Sequence, residues 1–255
     1  MTKAEIIALL NEDLKGEHMA IVQYLRHAYA MGEGEMACEI EAIAREEMRH
    51  FDWLAEQIVE LGGKPTLERG AFTGITEDVA QNMRFDVQAE EDAITLYRQH
   101  IEKISDPEIQ RLLSRILSDE ESHRKNFLHF VDKAGQEATT ASSGEAAANR
   151  SPKPPARLME ILNEGIRHEY TVILQYLYHS FFMPACEAKD ELETQAINEM
   201  QHLGWLSEEL EGVGGTPDIE HTKLALEGTP AGMLEADIKV EREVTAAYTR
   251  QIPEI

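Results

Sequence analysis

This chain contains the same plan twice, and that limits its folds more than any other feature. "LNEDLKGEHMAIVQYLRHA" from Leu10 aligns with "LNEGIRHEYTVILQYLYHS" from Leu162, an offset of 152 residues. The same offset carries Glu47 onto Glu199, Met48 onto Met200, His50 onto His202, Trp53 onto Trp205, and Gly62, Gly63 and Pro65 onto Gly214, Gly215 and Pro217. One residue then drops out, and the segment from Met83 matches the segment from Leu234, setting Glu90 on Glu241 and Tyr97 on Tyr248. Such a register implies two copies of one supersecondary unit rather than one large core. With 255 residues, each copy can bury a core of its own. "AGQEATTASSGEAAANRSPKPP", between the copies, is small, polar and Pro-rich, and reads as a flexible linker. The division expected is residues 1–133, a linker over 134–156, and a second copy over 157–255.

Apolar residues recur at spacings of three and four, and Ala, Leu, Ile, Glu and Met abound, so the class is all-α with almost no strand. In the first copy the spacing predicts helices over about 3–31, 35–61, 77–104 and 107–134. Gly32 and Gly34 mark the first turn, "LGGKP" stops the second helix, and Asp106 before Pro107 opens the fourth. Only the link from the second helix to the third is long, which implies a four-helix bundle running up-down-down-up with one crossover. The second copy has counterparts of the first three helices only. Three amphipathic helices leave an apolar groove, so the expectation is a shortened form of a longer chain, or a cover supplied by another chain or segment.

Forty-eight acidic and twenty-four basic residues give a net charge of −24, which repels nucleic acid and anionic lipid and favours cations as partners. No long uninterrupted apolar run suggests a signal peptide or membrane helix, so a cytoplasmic location is expected. Two cysteines, Cys38 and Cys186, have neither a disulfide framework nor metal-type spacing, and read as buried or idle thiols.

The apolar stripes of the first copy carry acids and imidazoles where core residues belong: Glu17 on the first helix, Glu47 and His50 on the second, Glu90 on the third, Glu120 and His123 on the fourth. Buried carboxylates without partners cost several kcal/mol each or take up protons. No Lys or Arg lies on those stripes, so something strongly cationic is required, and a pair of divalent metal ions meets the need. Glu-x-x-His sets an oxygen and a nitrogen side by side on one helix face. Mixed carboxylate and imidazole ligation suits iron or manganese. In the second copy Glu169, Glu199, His202 and Glu241 form a partial second site.

With these motifs across four helices, residues 1–133 resemble a bacterioferritin-like member of the ferritin-like di-iron carboxylate superfamily, and residues 157–255 resemble a second copy without its last helix. The resemblance implies two iron ions in the first copy, with manganese as the alternative. Glu17 and His50 would be terminal ligands of one, Glu90 and His123 of the other, and Glu47 and Glu120 would bridge them. It also implies a tyrosine beside the centre, Tyr24, either redox-active or a core aromatic bonded to a ligand carboxylate. Asp86 and Asp119 are candidates to orient ligand imidazoles. Met48 and Met200 match the methionine that, in bacterioferritins, gives its sulfur to a haem; methionine is also a common filler between helices.

The function expected is a ferroxidase that oxidises Fe2+ with O2 or H2O2, in iron storage or detoxification. The alternatives are a rubrerythrin-like peroxidase or di-manganese catalase, and a non-catalytic metal-binding assembly module. Without a fifth helix after the fourth, a dimer or small homo-oligomer is expected rather than a hollow cage.

Overall fold

In a computed structural model the described residues are 1–32, 34–72, 74–141, 156–184 and 187–254. They form seven α-helices: α1 (Lys3–Met31), α2 (Glu35–Glu60), α3 (Val79–Lys103), α4 (Pro107–Ala141), α5 (Ala156–Phe182), α6 (Glu187–Gly212) and α7 (Pro230–Gln251). The chain divides near residue 150 into two compact units, α1–α4 and α5–α7.

Local chemistry fixes the helix ends. Thr2 and Glu5 form a reciprocal capping box at the start of α1. Asp106 Oδ1 accepts from the backbone N–H of Glu108 (2.9 Å) and Ile109 (3.2 Å), opening α4 with proline at the first helical position, as its sequence implies. The third helix starts at Val79, two residues later than the periodicity predicts, because Asp78 caps it by accepting from Gln81 N at 3.2 Å. The fourth continues past 134 to Ala141, since Gln136, Glu137 and Ala138 sustain helix. The rest of the expected linker, 142–155, lies outside the described residues, as does Cys186; Cys38 is an exposed free thiol.

Paired residue numbers fix the directions of the helices. Across α1 and α3, Asp13 meets His100, Glu17 meets Tyr97, Tyr24 meets Glu90 and His27 meets Asp86. Numbers rise on one helix as they fall on the other, so the two are antiparallel. Only three residues separate α1 from α2 and α3 from α4, which leaves α2 and α3 parallel and requires a connection along the bundle's length. Residues 61–78 make it. Gly62, at φ +83°, turns the chain out of α2, and Gly214, at φ +79°, does the same after α6. The crossover then docks on α1: Asn11 Oδ1 accepts from Thr66 N at 2.7 Å, and Gly70 N donates to Lys15 O at 3.1 Å. In the second unit Asn163 Oδ1 accepts from Asp218 N at 2.8 Å, the same bond 152 residues on.

The first unit closes around Leu10, Leu14, Ile40, Leu54, Met83, Ile116 and Phe127, all fully buried. The second unit has no helix corresponding to α4 among the described residues. Leu234 and Ile238, where the first unit has buried Met83 and half-buried Val87, are 37% and 51% exposed, and Trp205 is 61% exposed. No helix among the described residues is long and apolar enough to cross a membrane.

Candidate metal centre

Glu17, Glu47, His50, Glu90, Glu120 and His123 come from four helices and are all buried in the middle of the first unit. Their ligand-type atoms form two overlapping groups, Glu17–Glu47–His50–Glu120 and Glu47–Glu90–Glu120–His123, each with its atoms within 4.8 Å of one another. Glu47 and Glu120 belong to both. His50 Nδ1 lies 2.9 Å from Glu47 Oε2, 3.0 Å from Glu120 Oε1 and 3.5 Å from Glu17 Oε2. His123 Nδ1 lies 2.8 Å from Glu47 Oε1. The two oxygens of Glu47 thus serve different histidines.

Both histidines point Nδ1 inward and Nε2 outward, and an acid on the neighbouring helix meets each outer nitrogen. Glu46 Oε2 is 2.7 Å from His123 Nε2, and Asp119 Oδ2 is 3.5 Å from His50 Nε2. Each acid immediately precedes the glutamate of the other Glu-x-x-His. This acid-Glu-x-x-His doublet, present on α2 and α4, makes Glu46 legible beside Asp119. An acid on Nε2–H fixes the tautomer and leaves the Nδ1 lone pair facing the centre.

Between α1 and α3 the support is also reciprocal. Tyr24 Oη donates to Glu90 Oε1 at 2.6 Å, and Tyr97 Oη donates to Glu17. The structure therefore makes Tyr24 a buried aromatic bonded to a candidate ligand, and gives Tyr97, which periodicity marks only as core, the same job. Farther out, His27 Nδ1 faces both oxygens of Asp86 (2.8 and 2.9 Å), which also accepts from Gln23 Nε2 at 2.8 Å; at the other end His100 Nδ1 faces Asp13 Oδ1 at 2.8 Å. Asp86 thus holds His27, not either of the candidate ligand histidines. One pattern, Asp-x3-Glu-x6-Tyr-x2-His, appears on both α1 (Asp13, Glu17, Tyr24, His27) and α3 (Asp86, Glu90, Tyr97, His100). It is the sequence signal for the four residues that hydrophobic periodicity overlooks.

The electrostatics fit a cationic guest. Burial, then the Glu120 charge, pushes Glu17 well above the usual carboxylate range; burial and the charges of Glu120 and Glu47 do the same to Glu90. Burial also opposes ionisation of Glu47, but the charge of His123 and bonds from both histidines hold it low. Burial would lower His50 and His123, yet the carboxylates around them win: His50 is raised far above its ordinary value and His123 to about 11. Glu47 Oε1, Glu90 Oε2, Glu120 Oε1 and His123 Nδ1 are buried without a well-aligned hydrogen bond, although Glu47 Oε1 and Glu120 Oε1 face the ring nitrogens of His123 and His50 at 2.8 and 3.0 Å. Native proteins rarely leave such atoms bare, and all four belong to the two ligand groups. The residues fit a di-iron site.

Asp13 supplies a pH test of this buried polar layer. Burial raises its carboxyl to about 6, against the hydrogen bond from His100. The native state therefore keeps a proton that the unfolded chain releases near pH 4, so Asp13's contribution to stability is full below that pH and lost as pH rises through about 6. The loss is about 3 kcal/mol. In Asp13→Asn, which keeps the oxygen that faces His100, urea unfolding between those pH values should lack this part of the slope.

In the second unit Glu169, Glu199 and His202 gather within the same 4.8 Å limit. Glu241 stays outside that group and accepts a hydrogen bond from Tyr176. Met48 is half-buried and packs against the first unit's apolar core, and Met200 is half-buried on α6.

A bundle with one crossover and a Glu/His centre made by all four helices defines a ferritin-like protein. The chain belongs to the ferritin-like domain family, which matches residues 7–136 and 159–254. The relatives it resembles are bacterioferritins. That of Desulfovibrio desulfuricans is 33% identical over 127 residues, covering 48% of this chain and 71% of the relative. Bacterioferritin BfrA of Mycobacterium tuberculosis is 30% identical over 146 residues, covering 54% and 92%. A crystal structure of the D. desulfuricans bacterioferritin, described for its diiron site in different catalytic states, superposes with a TM-score of 0.52 at 27% identity over 60% of this chain and 96% of that one. BfrA of M. tuberculosis superposes with a TM-score of 0.50 at 28% identity, over 56% and 94%.

Proposed function

We propose that the first unit is a ferroxidase that binds two Fe2+ ions as substrate and oxidises them with O2 or H2O2, in iron storage or detoxification. The observation that carries this reading is the pair of ligand groups sharing Glu47 and Glu120. Two Fe2+ held together lose one electron each, and these two electrons, with two protons taken from water, convert O2 to H2O2, or H2O2 to two waters. Glu17 with His50, and Glu90 with His123, would each hold one ion, and Glu47 and Glu120, which belong to both groups, would be shared between them. Carboxylates favour the higher charge of Fe3+ and can change their coordination as it develops. Tyr97 and Tyr24 each hold one oxygen of a terminal glutamate, leaving the other for the cation. Glu46 and Asp119 keep the imidazoles turned inward. The net charge of −24 concentrates cations at the surface.

Anaerobic loading with Fe2+ followed by separate exposure to O2 and to H2O2 tests the reading. Two irons per chain bound at the centre and oxidised rapidly by O2 support it. Reaction with peroxide alone favours a rubrerythrin-like peroxidase, oxygen release from peroxide by the manganese-loaded protein favours a catalase, and binding without turnover leaves an assembly module. A Soret band in protein loaded with haem, lost on replacing Met48 or Met200, tests the haem assignment of those methionines.

A further inference from the structure

In the ferroxidase reading, on which this inference rests, reduction of O2 to H2O2 consumes two protons, and all six candidate ligands are buried. The side of the centre built by α2 and α4 is poorly suited to carry protons in. His50 and His123 turn Nδ1 inward and meet Asp119 and Glu46 with Nε2. An imidazole whose inner nitrogen is engaged by a cation can give up its other proton only by becoming an anion. The side built by α1 and α3 offers carriers outside both ligand groups.

Two buried His–Asp pairs flank the centre between α1 and α3, and they differ. Asp86 is saturated: Oδ1 accepts from Gln23 Nε2 and faces His27 Nδ1, and Oδ2 faces His27 Nδ1 as well. The second copy keeps all three as Gln175, His179 and Asp237. There Gln175 Oε1 accepts from Ala225 N at 2.9 Å and His179 Nε2 from Glu227 N at 3.4 Å, so this group anchors the crossover. The other pair is open. His100 Nδ1 lies 2.8 Å from Asp13 Oδ1, while Asp13 Oδ2 and His100 Nε2 are buried without a hydrogen bond. Outward, His100 Nε2 is 3.6 Å from Oε2 of Glu12, whose side chain is 59% exposed. Inward, Asp13 precedes Glu17 by one turn of α1 and Tyr97 precedes His100 by about one turn of α3, so the pair is the next rung to Glu17–Tyr97. Burial first, then the charges of Glu17 and Asp13, push the Tyr97 hydroxyl up, so Asp13 acts across that turn. The second copy has Gly165 and Gln251 in place of Asp13 and His100, and neither side chain carries a proton. The helices therefore pack without this pair.

We propose that Asp13 and His100 form the proton inlet of the first unit's centre, carrying protons from solvent at Glu12 to the Glu17–Tyr97 rung. Asp13 gives up the proton on Oδ2. His100 Nδ1–H replaces it at Oδ1, and His100 Nε2 takes a proton from the Glu12 carboxyl or from water; rotation of the carboxyl and the ring then resets the relay. Two cycles supply the two protons that join two electrons, one from each Fe2+, in converting O2 to H2O2. Burial raises Asp13 to about 6, against the bond from His100 and with Glu12 and Lys103 also acting on it, which keeps a usable fraction protonated near neutral pH. Neither residue belongs to a ligand group, so the relay works without disturbing the cations.

Asp13→Asn keeps the volume and the oxygen that faces His100 but carries no proton, and His100→Gln introduces the residue type of the second copy. In full-length protein loaded with Fe2+ and mixed with O2 in weak buffer, each should slow the initial oxidation by at least about tenfold. A small diffusible acid too hindered to bind iron, 2,6-dimethylpyridinium, should restore it: at constant pH the variants' rates should climb with its concentration while the parent's rate stays flat. Equilibrium affinity for Zn2+ should be unchanged, because a relay alters rates and not ligands. Asp86→Asn, in the saturated pair, is the matched control; whatever it costs in stability, its oxidation rate should not respond to the acid. Parent-like rates in both Asp13→Asn and His100→Gln, slowed rates that the acid fails to restore, weakened Zn2+ binding in both, or the same rescue in Asp86→Asn would overturn the proposal. Parent protein that binds Fe2+ without reacting with O2 would overturn the ferroxidase reading, and the inlet with it.

Discussion

Glu47→Ala is expected to lower the initial rate of Fe2+ oxidation by more than about a hundredfold, beyond the loss typical of removing a residue that merely supports a ligand. The geometry sets Glu47 apart from Glu17 and Glu90, each of which belongs to one ligand group only. Its Oε2 is 2.9 Å from His50 Nδ1 and its Oε1 is 2.8 Å from His123 Nδ1, so one side chain reaches both histidines and would reach both ions of the proposed pair. Removing it takes an oxygen from each. Glu17, by contrast, belongs to one group only. Glu17→Ala should weaken one position and leave the other able to hold a cation, which separates loss of pairing from loss of binding. Glu47→Gln keeps the volume and one oxygen acceptor, and guards against a fold defect; it too should lose rapid oxidation. Stopped-flow absorbance after mixing Fe2+-loaded protein with O2 is the measurement. Rates in Glu47→Ala within about tenfold of the parent would rule out a bridging carboxylate.

Much of the first unit was legible from sequence because metal sites break the pattern that helix packing imposes. Apolar residues at spacings of three and four define the buried face, and Glu17, Glu47, His50, Glu90, Glu120 and His123 interrupt it at one level of the bundle. The structure brings all six together. Residues that hold the ligands were less visible, for two physical reasons. Tyr97 looks like any core aromatic until its hydroxyl is placed against Glu17. Glu46 is partly exposed, so periodicity assigns it to the surface even though it meets His123 Nε2. Asp13, His27 and His100 pair between α1 and α3, and such contacts depend on the antiparallel register of two helices far apart in sequence. Asp86 shows the converse failure: it sits one turn before Glu90, and only the register shows that it faces His27.

The repeat also shows which contacts act as units. Where the second copy loses Asp13 it also loses His100, the residue that faces it, whereas Gln23, His27 and Asp86 are kept together as Gln175, His179 and Asp237. A buried carboxylate whose partner has gone is costly, so such pairs change together. The same logic applies to the centre itself. Four buried glutamates remain tolerable only with cations, and in metal-free protein those cations are the two histidines and protons on Glu17 and Glu90.

Replacing protons with metal should therefore change stability greatly. With redox-inert Zn2+ at a thousandfold excess over its dissociation constant, each bound ion stabilises the folded state by about 4 kcal/mol, and two by about 8. That corresponds to a rise of roughly 15–30 °C in the first unit's thermal midpoint. The described residues of the second unit bring together three ligand-type side chains rather than six, so its midpoint should shift less, and calorimetry should resolve two transitions that separate as Zn2+ is added. The carboxylates differ in what their removal does. Glu90 is forced towards its protonated form by burial and by the charges of Glu120 and Glu47, so Glu90→Gln should leave the metal-free midpoint unchanged or raised while reducing the Zn2+-induced shift. Glu47 is held ionised by both histidines, so Glu47→Gln should lower the metal-free midpoint and nearly abolish the shift. If both variants keep the full shift, the stabilising ions are bound elsewhere and the six-residue centre is not where metal binding couples to folding.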